Sequence, residues 1–165
     1  MGTWGTGPFD NDTAADWCDG LDDTLAENRH ALVRGTLIRA ADASGYLDTV
    51  IADETVAAAA LVAGQCGGHT LAEPHDGPEA PLPDLTDLRA LALEALDRVM
   101  ADPSELLEAW VSSADAHAWR ASIDRMRAAL TPTSPGEQLA LDRSPAPSAA
   151  SAASAASAAS AEGTS

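Results

Sequence analysis

The chain has 165 residues, with 26 Asp and Glu against 9 basic residues, every one of them Arg, for a formal net charge of -17. That balance excludes a nucleic-acid binder, which must neutralise phosphates with cationic side chains. Ala occurs 37 times and Phe and Tyr once each, so strand-forming residues are too scarce for a sandwich or barrel and the composition favours helix.

The N-terminus has neither the basic residues nor the apolar segment of a secretory signal. The longest apolar run, Val56 to Ala63, has eight residues, against about 20 for a membrane span. A cytoplasmic protein with no membrane partner is the expectation. Cys18 and Cys66 are too few for a disulfide framework.

A first helix is expected from about Asp10–Asp12, which supply N-cap residues, to about Glu27. Its spacing puts Ala14, Trp17, Leu21 and Leu25 on the inner face and Asp12, Asp16, Asp19 and Asp23 on the outer one. A second helix covers Asn28 to Ala43, with Gly45 as the stop and Tyr46-Leu47 packing across the turn. A third begins near Asp53, which can cap it, and runs through an Ala-rich stretch to Gly64–Gly67. Its small side chains let neighbours approach closely, which places it centrally. A long loop rich in Pro and Gly follows, to Pro83. The fourth helix, about Asp84 to Ala101, carries a wide Leu/Ala face. Asp102-Pro103-Ser104-Glu105 reads as a helix start, with Asp102 as cap and Pro103 at the first helical position. After a break near Ser112–Asp115, Trp119, Ile123, Met126 and Leu130 form the core stripe of a last helix.

The fold expected is therefore all-α: a single irregular bundle of five to six helices in residues 1–131, closed at one end by an N-terminal Gly-rich strap. Residues 132–165 hold a run of prolines and then a Ser-Ala-Ala repeat. The Ser-Ala-Ala tract has no large apolar side chain to bury, and residues 132–165 are expected to be a disordered tail.

The opening Gly2-Thr3-Trp4-Gly5-Thr6-Gly7-Pro8-Phe9-Asp10-Asn11-Asp12, continuing to Ala15-Asp16-Trp17, resembles the start of a bacterial family of small acidic proteins, domain of unknown function 4259. Ser104-Glu105-Leu106 through Trp110, and then Trp119-Arg120, resemble that family's C-terminal block. The resemblance covers about residues 2–130, implies a class, and carries over no catalytic residues. Read physically, the glycines allow a tight strap, Phe9 acts as a hydrophobic staple beside the caps, and Trp4 tucks into the bundle. An anion site in this Gly-rich loop is disfavoured by the acids at Asp10 and Asp12.

Two groups of residues can carry binding chemistry. Asp12, Asp16, Asp19 and Asp23 recur at spacings of 4, 3 and 4 along one helix face. The stripe is either a solvated face or a docking surface for a basic protein, through electrostatic steering. Its carboxylates could also be metal ligands, although a straight helix does not encircle an ion. Cys66, His69 and His75 lie in the long loop as Cys-x2-His-x5-His and could supply three zinc ligands, with Cys18 or a distant carboxylate as the fourth. No nucleophile elbow, phosphate loop, dinucleotide fingerprint or His-Glu-x-x-His is present. Charge without a catalytic constellation points to a non-enzymatic acidic binding protein with no cofactor, an immunity-type inhibitor or nucleic-acid mimic. The alternative is a divalent-metal or zinc protein.

Overall fold

The computed structural model describes residue 3, residues 5–67 and residues 77–132. Asn11 has extended backbone angles and its side chain accepts from the Ala14 amide at 2.8 Å, which starts α1, Asp12–Asp23. At the other end the Thr24 amide donates to the Leu21 carbonyl and the Thr24 hydroxyl to that of Gly20. These bonds end the helix four residues before the expected Glu27. α2, Ala26–Ala41, starts at once, two residues earlier than expected. Leu25 falls at the joint between the helices and is 66% exposed rather than inward. Arg29 lies across the joint and donates to the carbonyls of Leu21, Asp22 and Pro81, so a cation meets the negative end of α1.

α2 closes at Asp42 and not at Gly45. Beyond it Leu47 is buried while Tyr46 is exposed, so only the leucine packs across the turn. α3, Thr49–Gly67, begins four residues before Asp53. Asp48 caps it by accepting from the Val50 amide at 2.8 Å, and Glu105 accepts from the Thr49 amide at 2.9 Å. Asp53 thus lies inside the helix and caps nothing.

The return from the long loop is held by Gln65, whose side chain accepts from the Leu85 amide and donates to the Pro83 carbonyl. Asp84 accepts from the Thr86 amide and hydroxyl, and the chain enters a 3-10 turn, Thr86–Leu88, that leads into α4, Arg89–Val99. α5, Glu105–Val111, is capped by Ser104 rather than by Asp102. The reason is the Leu47 backbone: it receives a bond from the Glu105 amide and donates one to the Pro103 carbonyl, holding Ser104 extended. α6, Ala116–Leu130, buries Trp119, Ile123, Met126 and Leu130 as its stripe requires.

The described residues form an all-α bundle of six α-helices. α3 is the central element and packs against α1, α2, α4, α5 and α6. Ala57, Ala58, Ala59 and Ala60 are all buried, and their small size lets five neighbours approach the same helix. By length and composition α3 could cross a membrane, and half of its apolar stretch is buried against the other helices. Trp110 stacks on Trp119, with centroids 5.4 Å apart and planes 7° apart, joining α5 to α6. Arg98 donates to carbonyls of Ala43, Gly45, Ala101 and Pro103, tying the α2–α3 and α4–α5 connections together.

In the strap the Asp10 amide donates to the Gly7 carbonyl, and Thr3 and Asn11 form an antiparallel bridge. Phe9 is buried beside the caps. Gly7 donates its amide to the Asp10 carboxylate at 2.8 Å. A Cβ added at Gly5 would lie 2.2 Å from that carboxylate, so a larger residue there would have to displace the Asp10 side chain. The anion held by this Gly-rich loop is the chain's own Asp10. Trp4, His69, His75 and the tail from residue 133 lie outside the described residues.

Candidate functional site

α1 sorts its acids by phase. Ala14, Trp17, Cys18 and Leu21 turn inward and are buried, and the Trp17 indole donates to the Thr36 hydroxyl of α2 at 3.1 Å. Asp12, Asp16, Asp19 and Asp23 turn outward and are exposed. No arginine is bound to Asp16, Asp19 or Asp23 among the described residues; the ion pairs join His30 to Asp87, Arg39 to Glu54, and Arg127 to Asp97 and Asp124. Two further acids of this region hold the fold instead. Asp10 closes the strap, and Asp22 accepts from the Glu79 and Ala80 amides at 2.9 Å, pinning the end of the long loop to α1. Spacing alone does not separate Asp22 from Asp23, because Asp22's partners lie 57 and 58 residues away in sequence.

The metal readings gain no geometry. No group of three or more His, Cys, Asp or Glu side chains is placed to hold an ion among the described residues. The outer carboxylates of α1 do not converge. Cys66 is half-buried at the end of α3, and its proposed co-ligands His69 and His75 lie outside the described residues. Cys18, the suggested fourth ligand, is buried in the core. Burial, with Asp22 and Asp19 nearby, pushes its thiol up to about 12. Such a thiol stays protonated at neutral pH and is not a nucleophile.

A cleft that sequence reasoning missed lies where the start of α1, the first turns of α3 and one side of α5 meet. It has a volume of about 240 Å³. Asp12 and Asp53 line it together with Thr49, Leu106, Ala109 and Trp110. Asp53 is half-buried, and the described residues give it neither a hydrogen bond nor a counter-ion. Removal from water, reinforced by the neighbouring Glu54 charge, pushes its carboxyl up to about 7. Glu54 differs: it turns the other way and pairs with Arg39 of α2. The local signal in the sequence, the pair Asp53-Glu54 one turn inside a largely apolar helix, does not tell which acid enters a cleft or that a cleft exists.

Comparison with family models matches residues 2–122 to a family described as a domain of unknown function, DUF4259. No curated protein and no solved structure matches the chain.

Proposed function

The chain belongs to the DUF4259 family, and from that premise we propose that it is a non-catalytic binding protein that docks a cationic protein partner on the outer face of α1. The observation that carries this reading is the placement of Asp12, Asp16, Asp19 and Asp23, all exposed along 12 residues of helix. Like charges at i,i+4 oppose a helix by roughly 0.2–0.5 kcal/mol per pair. The inward face, with Trp17 and Leu21 buried, offsets that cost. A net charge of -17 extends the field beyond this helix and favours rapid encounter with a basic surface. An arginine- or lysine-rich patch on a protein surface is the matching chemistry.

The test is affinity capture at low salt with the full chain and with an Asp16→Asn/Asp19→Asn/Asp23→Asn variant, followed by rebinding of each purified captured protein. The reading expects a basic protein that binds the native chain, is lost with the variant, and weakens steeply as salt rises. A captured protein that binds the variant equally well, or is indifferent to salt, contradicts it.

A further inference from the structure

The cleft beside Asp53 shares only Asp12 with the outer face of α1, and its chemistry is distinct. Asp53 is placed by α3, the helix most deeply packed in the bundle, so its position is fixed by the core. The charged groups around it are Asp12 on α1, Glu54 beside it on α3, and Glu105 at the start of α5, one turn from it on the Thr49 amide. Among the described residues none of the charged groups around Asp53 is basic. A carboxylate drawn out of water with no counter-charge has an unmet electrostatic demand. The opposite wall is apolar and aromatic, formed by Leu106, Ala109 and Trp110. Trp110 is held in place by its stack on Trp119.

These features select among ligands. The carboxylates repel an anion. The positive ends of α1 and α3 carry only about half a unit charge each, and their first amides are already taken by Asn11, Asp48 and Glu105. Among the described residues a bare metal ion finds too few converging ligands, and the cleft holds far more space than an ion fills. An organic cation on an alkyl stem matches both walls, with its charge against Asp53 and its carbon chain along Trp110 and Leu106.

We propose that this cleft binds an alkylammonium or guanidinium group, with Asp53 as its ion-pairing partner and Trp110 as the wall against which the stem packs. The group can arrive as a free small amine or as a Lys or Arg side chain of another protein. The site stands on the cleft alone and does not require the α1 docking surface.

The experiment titrates the full chain with n-butylammonium and with methylguanidinium, read by calorimetry and by the NMR signal of the Trp110 indole N–H. At about pH 8, saturable binding that moves the Trp110 signal and leaves the Trp17 signal in place is expected. Asp53→Asn, a near-isosteric change, should weaken binding at least about tenfold. Lowering the pH to about 5.5 should do the same on the unaltered chain, because Asp53 then carries a proton. Capped tripeptides with a central Lys or Arg form the second arm. Tighter binding of the peptides than of the free cations assigns a protein side chain as the source; equal or weaker binding assigns a small amine. Absence of saturation with every probe, or equal affinity for Asp53→Asn, overturns the proposal. Neither result depends on whether the Asp16, Asp19 and Asp23 face captures a partner.

Discussion

Aspartates on α1 and α3 live under opposite conditions. On α1 the outward aspartates keep their water, and their charge costs the fold little. On α3, Asp53 is held between packed helices, and the same side chain is pushed up to about 7. The surrounding chain therefore decides whether a carboxylate is an inexpensive surface feature or a strained one. A high count of acids says nothing about which of them matters; their burial and their partners do.

The largest expected effect comes from the side of α3 that has no room. Ala58 is fully buried among the neighbouring helices, and Ala58→Leu should lower the unfolding free energy by about 3 kcal/mol, measured by urea denaturation. A change below about 0.5 kcal/mol would mean that α3 is not tightly enclosed. Next is Asp53. Its folded value of about 7 lies above its ordinary value of 3.8, so the folded state holds the proton more tightly than the unfolded chain does. Stability from this group is therefore fully present below about pH 4, falls as pH rises between about 4 and 7, and is lost above that. A shift of about three units corresponds to about 4 kcal/mol, and residual water contact roughly halves it. At about pH 8 Asp53→Asn should be more stable than the native chain by about 2 kcal/mol, and the gain should vanish near pH 4. An equal midpoint for the two proteins at high pH would remove the distinction between α1 and α3.

Smaller effects sharpen the other side of the comparison. Loss of the Asn11 cap in Asn11→Ala should cost about 1 kcal/mol and fray the first turn of α1, visible as faster amide exchange at Ala14. Asp16→Asn/Asp19→Asn/Asp23→Asn should change stability by no more than about 0.5 kcal/mol, on the stabilising side, because it removes like-charge pairs that face water. A substantial loss of stability in that variant would show that these aspartates have a structural task, as Asp10 and Asp22 do.

Much of the fold was legible where a single periodic stripe decided the outcome. Trp119, Ile123, Met126 and Leu130 repeat at helical spacing and all are buried, and the run of small residues in α3 placed it at the centre. Helix ends were less legible, because capping residues are abundant in an acidic chain. Asp48 and Asp53 are equal candidates by type, and the choice between them depends on Glu105 reaching the Thr49 amide from 56 residues away. Ser104 displaced Asp102 as a cap for the same kind of reason, the bridge to Leu47. Leu25 continued the apolar phase of α1 on paper, but Thr24 had already ended the helix. The Asp53 cleft was invisible because its walls come from α1, α3 and α5, and no local pattern brings Asp12, Asp53 and Trp110 together.

The most direct measurement of the docking reading is an amide chemical-shift map of the full chain, titrated at low salt with the purified basic protein that the capture experiment recovers. The account predicts a contiguous footprint on α1 centred on Asp12, Asp16, Asp19 and Asp23, fading as salt is raised. A footprint on another face, with the α1 amides unmoved while the partner is bound, would contradict it.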